Sequence, residues 1–172
     1  MKAVILSAGE GTRMRPLTLT KPKTMLPVAG KPIIQYNIEA LRDCGVKDIL
    51  LIVGYKEEIV RDYFKDGQEF GVNISYATQS KLEGTADAIG YGKDFIEDSL
   101  IILNGDIILD VDIINEIIED YEKSKPDTFV SVKKSHDVPR KKEINAIPSI
   151  HVPPYTTGNN SFIFFFPDGT SV

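Results

Sequence analysis

Cys44 is the only cysteine among 172 residues, which excludes an intrachain disulfide and any zinc site built from several thiolates. Its surroundings, Arg42-Asp43-Cys44-Gly45, look like the end of a helix, so it reads as a small, partly buried hydrophobe. Histidine is almost as scarce. His136 and His151 have no carboxylate or nucleophile at a recognisable spacing, and both are expected on the surface. Positive charge is in deficit, with 20 Lys and Arg against 25 Asp and Glu. A nucleic-acid surface needs clustered cations, so that class is disfavoured. A single nucleotide needs only a local pair of cations and some backbone N–H groups. Long apolar runs are missing too: the N-terminus is apolar only from Ala3 to Leu6, too short for a signal-peptide core, and nothing approaches a bilayer span. The expectation is a soluble, cytoplasmic protein with no membrane contact. The 42% hydrophobic and 26% charged residues suit one compact domain.

Two textures alternate through the first part of the chain. Short runs rich in Val and Ile at residues 2–7, 48–53, 72–77, 100–103 and 128–132 are continuous rather than alternating, as in strands buried on both faces. Between them the spacing is helical. In residues 33–42, Ile34, Ile38 and Leu41 share a face, while Gln35, Glu39 and Arg42 lie away from it. Residues 56–65 group Ile59, Val60, Tyr63 and Phe64, and residues 112–123 set Ile113, Ile114, Ile117 and Ile118 on one stripe. A weaker helix over 85–96 is loosened by Gly90 and Gly92. Strict alternation predicts an α/β fold: a Rossmann-like, doubly wound, mostly parallel sheet with helices on both faces. Ligands of such sheets bind beyond the carboxyl ends of the strands, which points to the loops after the first, third and fourth strands.

From about residue 141 the character changes. Residues 141–172 hold only Glu143 and Asp168 of the 25 carboxylates, and no period runs through 146–160. One strand over 161–166 is expected. The chain therefore divides into residues 1–140 and a tail, 141–172, that is truncated or divergent.

Ser7-Ala8-Gly9-Glu10-Gly11-Thr12-Arg13 comes directly after the first strand. Its glycines let the backbone turn tightly and present N–H groups to an anion. Met14 stands where the dinucleotide fingerprint needs a third glycine, and Gly11-Thr12-Arg13 does not supply the Lys-Ser/Thr ending of a Walker A loop. The connector beyond this loop decides between the remaining readings. Between the first strand and the next helix lie five cations (Arg13, Arg15, Lys21, Lys23, Lys31) and four prolines (Pro16, Pro22, Pro27, Pro32). Proline stiffens the connector, so Arg13 and Lys23 are expected to be held where a triphosphate needs charge.

The stretches 6–18 and 22–28 together resemble the signature of the sugar-1-phosphate nucleotidyltransferases, in particular the glucose-1-phosphate thymidylyltransferase branch. The resemblance implies a nucleoside monophosphate unit transferred from a triphosphate, dTTP or UTP for preference, to a sugar 1-phosphate. In this sequence it implies that Leu6, Ala8, Gly9, Gly11 and Thr12 cradle the nucleotide and that Arg13 and Lys23 carry the catalytic charge. Gln79 and Gly84, in Gln79-Ser80-Lys81-Leu82-Glu83-Gly84, would contact the base, for which a side-chain amide offers donor and acceptor together. Asp106, in Asn104-Gly105-Asp106 at the end of a strand, would hold Mg²⁺. Gly105 is expected to permit close approach of substrate.

The resemblance covers residues 1–140, the nucleotide-binding region. The Phe-Gly strand, Glu-Lys-Pro motif and second metal aspartate of the family have no counterpart in 141–172. This chain by itself is therefore expected to be incomplete for catalysis, and a non-catalytic nucleotide-binding or regulatory homologue is the alternative. The apolar run 162–166 is expected either to dock beside the strand at 128–132 or to drive association into a homo-oligomer.

Overall fold

The computed structural model describes residues 1–80, 91, 95, 100–124, 129–131 and 163–166. The first strand, β1 (Lys2–Ser7), is followed by a connector wound into three short 3-10 turns, Thr12–Met14, Leu17–Leu19 and Lys23–Met25. A small hairpin of β2 (Pro27–Val28) and β3 (Lys31–Pro32) closes the connector. Its two turn residues, Ala29 and Gly30, both have positive φ, the backbone twist that joins antiparallel strands through two residues. Then come α1 (Ile33–Asp43), β4 (Asp48–Val53), α2 (Glu57–Phe64), β5 (Asn73–Thr78), β6 (Leu100–Asn104), α3 (Val111–Ser124), β7 (Phe129–Ser131) and β8 (Ile163–Phe166).

Among the described residues the main sheet has the order β5-β4-β1-β6-β8-β7. β5, β4, β1 and β6 run parallel, and β8 lies antiparallel between β6 and β7. The chain thus builds outward from β1 to β5 on one side and then crosses to β6 on the other. Strands with continuous apolar runs belong in such a sheet because both faces are covered. Ala3, Ile5, Ile49, Leu51, Ile101 and Leu103 face one layer, where Ile34, Ile38 and Leu41 of α1, Val60 and Phe64 of α2, and Ile114, Ile117 and Tyr121 of α3 pack against them. Val4, Leu50, Ile52, Leu100 and Ile102 form the other buried face, against which Phe95 packs. Each such Ile or Leu contributes about 1.5–3 kcal/mol by leaving water.

The elements fall within a residue or two of where the hydrophobic pattern puts them. The helix expected over 85–96 lies outside the described residues apart from positions 91 and 95. Two faces come out differently. Gln35, expected away from the core, is buried, because the Tyr63 hydroxyl of α2 donates to its Oε1 at 2.8 Å while its amide donates to Glu39 at 2.7 Å. Ile113, expected on the apolar stripe of α3, is 42% exposed, because the stripe centres on Ile114, Ile117 and Tyr121. The strand expected over 161–166 forms over its last four residues and docks beside β7, with its other edge on β6.

Candidate functional site

β1 and β6 end side by side, with Leu6 in register with Asn104. The segments leaving them diverge at the point where strand order reverses, and a cleft of about 500 Å³ opens there. That volume is in the range of small-molecule sites. Leu6, Ala8, Gly9, Gly11, Thr12 and Arg13 line it from the loop after β1. Lys23 comes from the connector, Gln79 from the end of β5 and Asp106 from the segment after β6. Gly84 lies outside the described residues. Ser7, Met14, Thr24 and Asn104 also line the cleft and were not singled out from sequence. Of these, Ser7 and Thr24 share a buried 2.6 Å hydrogen bond that ties the end of β1 to the connector. Their separation of 17 residues gave no local signal.

The loop after β1 is fixed from outside. Tyr55 donates its backbone N–H to the Ala8 carbonyl at 3.1 Å, and Gly54 lies so close that a Cβ there would stand 3.0 Å from Ala8. Gly11 takes φ +69°, its carbonyl accepts from the Thr18 hydroxyl at 3.0 Å, and a Cβ on it would meet Lys23 Cβ at 2.8 Å. The Tyr55 hydroxyl also reaches the Thr18 carbonyl at 3.1 Å, so loop and connector form one braced unit. Gln79 is held at the strand end by its N–H donating to the Val53 carbonyl at 2.8 Å. Gly105 is required by packing: its N–H donates to the Leu6 carbonyl at 2.9 Å, and a Cβ would stand 2.8 Å from that same oxygen.

The cations are not equivalent. Arg15 pairs with Glu10 and is engaged. Arg13 is exposed in the cleft and has no ion-pair partner among the described residues. It sits in the 3-10 turn Thr12–Met14. Lys23 donates to Asp106 Oδ2 at 2.7 Å, with the two side chains 33% and 41% exposed. A pair that wet is worth about 0.2–1 kcal/mol, too little to be a structural staple and little enough for an incoming phosphate or cation to divide. Among the described residues no group of three or more His, Cys, Asp or Glu side chains could hold a metal alone. Asp106 nonetheless fits Mg²⁺, which is commonly held by one or two carboxylates together with substrate phosphates.

A mostly parallel sheet with a glycine loop, an exposed arginine and a lysine–aspartate pair at its switch point defines an α/β domain with a polar cleft beyond its strand ends. The chain belongs to the nucleotidyl transferase family, whose model matches residues 2–142. It is 40% identical over 161 residues to the bifunctional protein GlmU of Methanococcus maripaludis, a match covering 85% of this chain and 38% of that protein. It is 36% identical to a glucose-1-phosphate thymidylyltransferase of Streptomyces griseus, with 76% of this chain and 37% of that one covered. A solved structure from Bacillus anthracis, assigned as a glucose-1-phosphate thymidylyltransferase, superposes with a TM-score of 0.78 at 30% identity, over 97% of this chain and 71% of that one. The chain spans 38% or less of the length of the curated relatives named here. None of the described helices is long and apolar enough to cross a membrane.

Proposed function

We propose that this chain forms the triphosphate-binding part of a cytoplasmic sugar-1-phosphate nucleotidyltransferase, with dTTP or UTP as the nucleotide. The observation that carries the reading is the meeting, in one cleft, of the loop at 8–13 with Lys23, Gln79 and Asp106 from three other parts of the chain. In the reaction a phosphate oxygen of the sugar 1-phosphate attacks the α-phosphorus in line. The bond to the β-phosphate oxygen breaks, and pyrophosphate leaves. The protein positions the two phosphates and offsets their charge. Backbone N–H groups at Ala8, Gly9 and Gly11 cradle the triphosphate, Arg13 meets the charge that grows on the departing pyrophosphate, and Lys23 draws the α-phosphate and sugar phosphate together. Gln79 and Gly84 read the base edge. Asp106 holds Mg²⁺, which when bound supplies further neutralisation of phosphate charge. The names of two relatives, a thymidylyltransferase and a uridylyltransferase of glucose 1-phosphate, favour a pyrimidine.

Residues 141–172 carry no counterpart of the Glu-Lys-Pro motif, and the family match ends at 142, which supports a division near residue 140. The chain is therefore expected to bind dTTP or UTP with Mg²⁺ and to release pyrophosphate at background level when glucose 1-phosphate is added. Calorimetric titration and a coupled pyrophosphate assay on the full chain test both halves. Failure to bind either triphosphate sinks the reading. Turnover above background keeps it, removes the non-catalytic alternative, and assigns a sugar site to 141–172.

A further inference from the structure

The apolar spacing of α1 does not account for one of its residues. Asn37 lies on the buried side of the helix, as Ile34 and Ile38 do, with no exposed surface at all. A Leu or Val would fill such a position and ask for no partners. An amide is retained in a core only where its donor and acceptor are met, and Asn37 meets both outside its own helix. Its Nδ2 donates to the Ile107 carbonyl at 2.7 Å, and its Oδ1 accepts from the Leu109 N–H at 3.2 Å. Both groups belong to the segment that joins β6 to α3, immediately after Asp106.

That segment has a second anchor on its other side. Gly105 donates to the Leu6 carbonyl of β1 at 2.9 Å, so Asp106 sits between one tie to the sheet and one to α1. The Asp106 side chain itself is 41% exposed and, among the described residues, its hydrogen-bond partner is the tip of Lys23, so its direction depends on the backbone that carries it. We propose that Asn37 is a positioning residue for Asp106, and that its two hydrogen bonds hold the carboxylate toward the triphosphate cleft. The inference rests on the reading of Asp106 as the magnesium carboxylate, and it assigns to α1, which does not line the cleft, a part in metal-dependent nucleotide binding.

The test measures the affinity of the full chain for dTTP, and for UTP, with and without MgCl₂, in wild type, Asp106→Asn, Asn37→Leu, Asn37→Asp and the Asp106→Asn/Asn37→Leu double variant. The quantity read is the factor by which Mg²⁺ tightens binding. Asp106→Asn is expected to abolish that factor. Asn37→Leu is expected to cut it by about tenfold, the low end for residues that orient a metal ligand, while metal-free affinity stays at the wild-type level. Asn37→Asp keeps the acceptor for Leu109 and, when protonated, a donor for Ile107, so it should retain more of the factor. In the double variant Asn37→Leu should add nothing, because there is no carboxylate left to position. A normal Mg²⁺ factor in Asn37→Leu beside a lost one in Asp106→Asn overturns the inference and keeps the reading of Asp106. An equal loss of metal-free and metal-dependent affinity in Asn37→Leu, with a lowered melting temperature, makes Asn37 merely structural and overturns it too. An unchanged factor in Asp106→Asn removes the reading and the inference together.

Discussion

Replacing Gly11 with alanine would set a Cβ 2.8 Å from Lys23 Cβ and 3.3 Å from Thr18 Cγ2, at a φ of +69°. The left-handed conformation costs a residue with a side chain about 1–2 kcal/mol. Lys23 Cβ lies next to the backbone and cannot swing aside as a chain tip would, so relieving the overlap costs about 1–3 kcal/mol more. Alanine also restricts the unfolded chain, which returns about 0.4–1 kcal/mol. The net is a loss of about 1–4.6 kcal/mol, or about 2–18 °C in melting temperature for a domain of this size. Gly9 supplies the control. A Cβ there meets nothing within 4 Å, and its φ is not in the left-handed range, so Gly9→Ala should keep its stability within about 0.5 kcal/mol. Because Gly9 lines the cleft, that methyl would stand in space the phosphates need, and dTTP affinity should fall by about tenfold, equivalent to 1.4 kcal/mol. Urea denaturation and calorimetric titration of both variants decide it. If Gly11→Ala melts with wild type, the strain argument is wrong; if Gly9→Ala binds dTTP normally, phosphates do not lie over that part of the loop.

Arg13→Ala should weaken dTTP binding by about 1.5–3 kcal/mol, the range for hydrogen bonds to charged groups, and equal affinities in a titration would remove Arg13 from the site. Burial raises the Cys44 thiol above its ordinary value, with the Asp43 and Asp112 carboxylates adding to it, so little thiolate exists near neutral pH. A disulfide reagent should therefore label native protein far more slowly than urea-unfolded protein, and equal rates would contradict the assigned burial. Tyr76, whose hydroxyl donates to the Lys65 carbonyl at 2.6 Å, is pushed from 10.0 to about 12, first by burial and against the pull of Arg61. A raised phenol favours the fold while it stays protonated. Its contribution should be intact below pH 10 and fade as pH climbs toward 12, and urea midpoints of wild type and Tyr76→Phe across that window should converge.

The parallel strands were legible because continuous apolar runs have one economical explanation, burial on both faces, and α1, α2 and α3 because their apolar residues recur at helical spacing. The candidate site was legible for a different reason: the glycine loop and Asp106 directly follow strands, and the stretches 6–18 and 22–28, which carry Arg13 and Lys23, resemble a family signature. What pattern could not reveal were contacts made by partners far apart in the chain. Gln35 looks like a surface residue until Tyr63 arrives from α2. Asn37 looks like an irregularity in a helix until the segment carrying Ile107 and Leu109 folds onto it. Gly105 suggests substrate approach by its place beside Asp106, yet its nearest constraint is the Leu6 carbonyl of β1, a partner 99 residues away in the chain. The position of β8 was half legible. Its docking beside β7 was among the expectations, but the sequence offers nothing to tell a new outer edge from an insertion between two strands.

That insertion sets an order of events for the growing chain. β7 leaves the ribosome before β8, yet among the described residues it joins the rest of the sheet through β8, which pairs with β6 on its other side. The parallel unit of β5, β4, β1 and β6 can therefore assemble once residue 104 is out, whereas the one sheet partner of residues 129–131 among the described residues is made only with residues 163–166. Closure between Leu100 and Phe166 is a long-range step, slowed by the sequence separation of the two strands. Among the described residues, the outer edge of β6 is therefore the last position in the parallel unit to gain its strand, and an edge of that kind is the part of a sheet most exposed to pairing with another chain.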